Sequence, residues 1–162
     1  AVTEDVDAPA RLHVAVLRAT YAAYAPAKAV AALDEAKRLP YWQGAVGGDA
    51  PGAGVFVAER DGSVLGVVSY APATHAAFGD RTEIKHLYVS SGTRGQGIGR
   101  ALLQAVFDQL ETPRAQSGAL AVVEQNSAAR AFYRQQAGGE AGRVIDPGPL
   151  WRSENIVVAW DA

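Results

Sequence analysis

The chain has 162 residues, 49% of them apolar, a formal net charge of −2 and no cysteine. Its length suits a single domain, 1–162, with a real core. The charge gives no general attraction to nucleic acid or anionic membrane, and the missing cysteine removes disulfides, thiolate metal ligands and a cysteine acyl-enzyme. No apolar run approaches the ~18 residues of a membrane span and no signal-peptide pattern is visible, so a cytoplasmic protein is expected.

Residues 8–24 read as a helix, with Leu12, Val16, Leu17 and Tyr21 on one stripe. Pro26 interrupts it, a second helix is predicted over 27–39 with Pro40 closing it, and Gly44 to Gly54 reads as a loop. The period then changes to that of strands. Val55–Glu59 and Val64–Tyr70 flank an Asp61-Gly62 hairpin turn, and Pro72 to Asp80 is a loop. Thr82–Val89 is a third strand. Ile98, Leu102, Leu103, Val106, Phe107 and Leu110 form the apolar face of the helix that follows. Gly118–Glu124 is a strand and Ala128–Gln136 a helix, started at Asn126-Ser127 and stopped at Gly138-Gly139. Arg143–Ile145 and Ile156–Trp160 are the last strands, and a short strand near Val2 is an optional first one. The order predicts an α/β (α+β) fold, a mixed central sheet of six to seven strands with helices on both faces.

Three glycines, Gly95, Gly97 and Gly99, crowd the junction between the third strand and its helix. Glycine is costly there, and the usual compensation is close approach of backbone to an anion at a helix N-terminus. A P-loop requires Gly-Lys-Ser/Thr, and Gly99-Arg100-Ala101 is not that. A dinucleotide site requires Gly-x-Gly-x-x-Gly, and Arg100 stands in the third position; Glu124 is the candidate ribose-binding acid of that alternative. A strained turn without a ligand is the bland reading.

The segment Arg94-Gly95-Gln96-Gly97-Ile98-Gly99 is more specific than a glycine cluster, matching Arg/Gln-x-x-Gly-x-Gly/Ala. With it, the chain resembles the GNAT superfamily of N-acetyltransferases. A second segment, Asn126 to Tyr133 in "NSAARAFYRQQAGG", is similar to the family's Asn-x-x-Ala-x-x-Phe-Tyr. Ser91 and Gly139 depart from the Pro and Phe usual at these places, which bears on packing rather than activity. The resemblance implies acetyl-CoA as co-substrate. Arg94, Gly95, Gln96, Gly97, Ile98, Gly99 and Arg100 would grip its pyrophosphate, each glycine removing a Cβ from the phosphates' path. Backbone N–H groups around Leu87, Tyr88 and Val89 would meet the pantetheine amides and the acetyl carbonyl, and Asn126 the pantetheine arm.

The implied reaction is direct attack of an amine on the thioester, which needs a base, oxyanion stabilisation and an acid for the thiolate. Glu83 is the candidate base and Tyr133 the candidate acid. His86 should alternate with Tyr88 away from the Glu83 face, unless a bulge intervenes. Arg130 and Arg134 lack the positional support of Arg94 and Arg100. His13 and His75 have no companions at metal spacing, so no metal is expected. Tyr21, Tyr24, Tyr41 and Trp42 surround the helix break where family members build acceptor sites, with hydrophobic core as the plainer reading. The expected partners are acetyl-CoA and an amine, without nucleic acid or membrane, for a monomer or homodimer. An inactive CoA-binding sensor of the same fold and a nicotinamide-dinucleotide binder remain the alternatives.

Overall fold

The computed structural model describes residues 6–48, 50–110 and 117–161; the optional strand near Val2 lies outside them. Helix α1 (Asp7–Tyr21) buries Leu12, His13, Val14, Val16 and Leu17 along one face. The second predicted helix is two. After α2 (Ala27–Ala31) the chain breaks at Asp34, whose carboxylate accepts a hydrogen bond from the Ala36 N–H at 2.9 Å and caps α3 (Glu35–Gly47). Pro40 does not close a helix but sits inside α3, and the expected loop from Gly44 is helical to Gly47. An interior proline costs about 3 kcal/mol. Two residues beyond it, however, Trp42 is completely buried against Ala10, Leu12, Val16 and Val67. Burying such a side chain contributes up to about 3 kcal/mol, which offsets the cost.

The sheet has six strands: β1 (Gly54–Arg60), β2 (Ser63–Pro72), β3 (Thr82–Val89), β4 (Gly118–Val123), β5 (Gly139–Asp146) and β6 (Ser153–Trp160). Their order is β1-β2-β3-β4-β6-β5, and only the β3–β4 pairing is parallel. Positive φ at Asp61 (52°) and Gly62 (74°) closes the β1–β2 hairpin as expected. Strand β5 is longer than predicted because it is a largely exposed edge strand whose side chains carry little apolar alternation. Helices α1 and α3 cover one face of the sheet. Helices α4 (Ile98–Asp108) and α5 (Ser127–Gln135) cover the other, where Leu102, Leu103, Val106 and Tyr133 join Val68, Ile84, Leu120 and Val158 in the largest core cluster.

Two irregularities on β3 position the site. The strand pairs with β4 only at Thr82–Gly118 and Glu83–Ala119 and then parts from it, leaving its later backbone groups on that side without a strand partner. Against β2 it carries a bulge: Ser69 lies opposite His86 but Tyr70 opposite Ile84, so Lys85 is the extra residue. The bulge puts Ile84 and Leu87, three apart, into the same core cluster, and therefore Glu83 and His86 onto the same opposite face. The strict alternation that would separate His86 from Glu83 is broken here.

Candidate active site

A cavity of about 760 Å³ occupies the fork between β3 and β4. Of the candidate catalytic and cofactor-binding residues all but Gln96 line it: Glu83, Leu87, Tyr88, Val89, Arg94, Gly95, Gly97, Ile98, Gly99, Arg100, Asn126 and Tyr133; of the four aromatics at the helix break, Tyr21 lines it and Tyr24, Tyr41 and Trp42 do not. The Gln96 side chain instead accepts a hydrogen bond from Arg60 at 3.2 Å.

At the α4 end, Gly95 (φ 77°) and the N-cap Gly97 (φ 81°) hold left-handed backbone, and a Cβ on either would meet no atom within 4 Å. Conformation, not packing, demands glycine at both, and the space before them is open. Ala101 N–H is the first to bond back, to the Gly97 carbonyl at 3.0 Å. The N–H groups of Ile98, Gly99 and Arg100 therefore face outward at the positive end of the helix dipole, without a side-chain cap. Gly99 serves another purpose than expected. A Cβ there would come within 3.1 Å of the Phe132 ring, so this glycine lets α5 close on α4 rather than clearing a path for phosphate. Arg94 and Arg100 line the cavity, whereas Arg130 and Arg134 turn to Glu140. Glu124 is held by Arg143 at 2.6 Å and does not line the cavity, so the ribose-binding acid of the dinucleotide alternative is missing.

Near the middle of the fork, Tyr133 is 8% exposed and packs edge-on against Trp160, ring centroids 5.9 Å apart. Burial raises its pKa, so the phenol stays protonated. Its hydroxyl has no hydrogen-bond partner among the described residues. Asn126, which lines the cavity, caps α5, its Oδ1 accepting from the Ala129 N–H at 3.2 Å and its amide N–H groups uncommitted among the described residues. Glu83 sits at the opposite side of β3, with Lys85 Nζ donating to its Oε2 and its Oε1 uncommitted among the described residues.

Sequence reading did not find the network behind Glu83. Trp42 Nε1–H donates to His13 Nδ1 (3.2 Å), His13 Nε2 meets the Tyr88 hydroxyl (3.3 Å), and that hydroxyl meets His86 Nδ1 (3.0 Å). The indole can only donate, so His13 Nδ1 must accept and the His13 proton lies on Nε2. Tyr88 therefore accepts from His13 and donates to His86 Nδ1. The one proton of neutral His86 is thus fixed on Nε2. Burial lowers the pKa of His13 to about 3 and that of His86 to about 4, their mutual repulsion adding at His13 and the positive charge of Arg38 at both. Both imidazoles are neutral at physiological pH. His86 therefore offers the cavity an N–H donor rather than a base. The partners lie 29 and 75 residues apart, or bridge the bulged strand, so no local pattern announces them.

The fork between β3 and β4, the glycine-bearing N-terminus of α4, Tyr133 and Glu83 thus share one cavity. The model of the acetyltransferase (GNAT) family matches residues 17–138, and the chain belongs to that family, whose co-substrate is acetyl-CoA. Among solved structures, it resembles a ribosomal-protein-alanine N-acetyltransferase from Brucella melitensis (24% identity, TM-score 0.71, 100% of this chain and 97% of that one). It also resembles the PaiA N-acetyltransferase of Thermoplasma acidophilum in complex with coenzyme A (15%, 0.72, 100% and 96%). A third likeness is to YncA, a putative acetyltransferase of Salmonella typhimurium with its cofactor acetyl-CoA (21%, 0.71, 99% and 90%). At these identities the likeness is one of fold. No curated protein sequence matches the chain. Among the described residues no helix is long and apolar enough to cross a membrane, and no three His, Asp or Glu side chains group to hold a metal ion.

Proposed function

We propose that the chain, as one unit over 1–162, moves the acetyl group of acetyl-CoA to a primary amine of a small molecule or peptide. The compartment proposed is the cytoplasm, where acetyl-CoA is available. The observation that carries this reading is that one cavity joins the α4 N-terminus, the unpaired edge of β3, Tyr133 and Glu83.

The residues fit the cofactor. Gly95, Gly97 and the outward N–H groups of Ile98 to Arg100 form a cradle for pyrophosphate, with Arg94 and Arg100 adding charge. The unpaired edge of β3 at Leu87, Tyr88 and Val89 offers backbone partners to the pantetheine amides, and Asn126 its free amide N–H groups. When bound, acetyl-CoA supplies a thioester carbonyl open to direct attack. Glu83 Oε1 takes the proton of the attacking amine. Tyr133 gives its proton to the departing sulfur and recovers one from solvent. A C–N bond forms, the C–S bond breaks, and amide and free thiol are the products. Burial keeps the phenol protonated, so it has a proton to give and cannot act as the base.

The test is release of free thiol from acetyl-CoA against a library of primary amines. Amine-dependent release supports transfer. Tight acetyl-CoA binding by calorimetry without release for any amine would instead favour a CoA-binding sensor.

A further inference from the structure

The end of the cavity nearest α3 holds a cation that forms no ion pair among the described residues. Arg38 projects from α3 into the cavity and makes no hydrogen bond or ion pair among the described residues. It is partly buried, and its charge is felt by His13, His86, Tyr21 and Tyr88, so the guanidinium faces the same chamber as the His86 ring. A partly desolvated guanidinium with five donors and no acceptor is poorly satisfied. Neither carboxylate that lines the cavity pairs with the guanidinium: Glu83 Oε2 accepts from Lys85, and Asp146, whose charge also reaches Tyr21, accepts from the Gly148 N–H at 2.8 Å.

His86 adds a second donor. Its Nε2 proton is fixed by the Trp42–His13–Tyr88 chain, and Nε2 has no partner among the described residues. Tyr24 Oη is the only side-chain polar atom among them that is both sealed from solvent and unpartnered, so His86 Nε2 reaches the cavity. Beside these donors, Leu17, Tyr21, Leu150 and Trp151 make an apolar wall.

We infer that Arg38 and His86 are specificity determinants that select an acceptor amine bearing a carboxylate, an amino acid or related amino-carboxylate. The carboxylate is bound by the guanidinium and the His86 N–H, the carbon skeleton rests on the apolar wall, and the amine is left to Glu83. A polyamine would bring like charge to Arg38 and is selected against. This inference rests on the proposed transferase reading for its kinetic test but not for its binding test.

The kinetic test compares each amino acid with its own amide, phenylalanine with phenylalaninamide among them, by thiol release at fixed acetyl-CoA. The amide amine is the less basic and at neutral pH the more available, so chemistry alone favours the amide. The expected result is a kcat/KM preference of about ten-fold or more for the acid, comparable with a hydrogen-bonded ion pair. Arg38→Gln should abolish that preference, and Arg38→Lys should restore part of it, with acetyl-CoA affinity unchanged in both. Equal or better use of the amides by wild type would overturn the inference while leaving the transferase reading intact. If no amine releases thiol, that reading fails instead. Calorimetric titration of the CoA-loaded protein with the same pairs then decides: acid-selective binding lost in Arg38→Gln sustains the inference, and its absence ends it.

Discussion

The two faces of β3 solve recognition in different ways. On one, Leu87 and Val89 lean into the α4 core, and the neighbouring glycine loop offers open space and outward backbone N–H groups. On the other, Glu83, His86 and Tyr88 meet side chains from α1 and α3, ordered by a hydrogen-bond chain that begins at Trp42. The donor half of the proposed site is thus built largely from backbone, with Arg94, Arg100, Asn126 and Tyr133 as the side chains it adds. The acceptor half is built from side chains, and its chemistry changes with any one of them. A family can therefore keep one cofactor while its acceptors diverge.

Breaking the acceptor half should have the largest effect. Glu83→Gln removes the proposed base, which typically contributes 10²–10⁴-fold. We expect kcat/KM at neutral pH to fall about 100-fold, with acetyl-CoA affinity nearly unchanged. The deficit should shrink toward alkaline pH, where the amine loses its proton in solution without help. A steady-state pH profile parallel to wild type, shifted neither down nor up, would take the base role from Glu83. The role does not then pass to His86, whose Nε2 already carries its proton.

The matching break on the donor half is Gly97→Glu. Its side chain would enter the open space before the α4 N-terminus and bring a negative charge there, at a φ of 81° that suits glycine. Loss of charge-assisted hydrogen bonds predicts a weakening of acetyl-CoA binding by at least ~2 kcal/mol, about 30-fold. Calorimetry on the folded variant is the measurement, and an unchanged Kd would dissociate the loop from pyrophosphate.

The donor half of the proposed site is the more legible in the sequence because its segments are local. Arg94 to Gly99 and Asn126 to Tyr133 are contiguous, and each specifies a local backbone shape. Two of these residues differ from the reading: a Cβ at Gly99 would meet Phe132 from another helix, and the Gln96 side chain turns to Arg60. The acceptor half depends on a bulge at Lys85, a break at Asp34 and contacts between α1, α3 and β3. A bulge leaves no mark in a run of strand-forming residues. Asp34-Glu35 did carry a helix-start signal, but the proline at 40 drew the boundary to itself. His13 offered only a lack of companions at metal spacing, because its partners lie 29 and 75 residues away.

That buried chain also sharpens the comparison through pH. The folded value of His13, about 3, lies below its ordinary 6.5, and that of His86 is about 4. Below pH 6.5 the unfolded chain therefore takes up protons that the folded chain refuses. Stability should fall as pH falls from about 6.5 toward 4, by on the order of 2 kcal/mol at pH 5 from His13 alone. Urea denaturation at pH 7.5 and pH 5 measures it. His13→Gln, which cannot titrate, should lose less between the two pH values than wild type. An identical loss would mean that His13 is not held neutral.

The smallest effect tests whether the donor half contributes chemistry as well as binding. Tyr133 sits on α5 with its ring fixed against Trp160 and its hydroxyl unpartnered among the described residues. A thiolate leaving into a partly desolvated cleft is poorly stabilised unless a proton or hydrogen bond meets it, and the phenol is held protonated by burial. Tyr133→Phe keeps the packing and deletes only the hydroxyl. We expect kcat to fall about ten-fold, with acetyl-CoA affinity and melting temperature little changed. The moderate size follows from the chemistry, since water in the cleft can protonate the thiolate more slowly. Steady-state kinetics with any accepted amine, alongside calorimetry, gives both numbers. Full turnover by the variant would make Tyr133 a packing residue and leave the donor half purely a binding surface, whereas a fall in kcat alone would place one catalytic group on each side of β3.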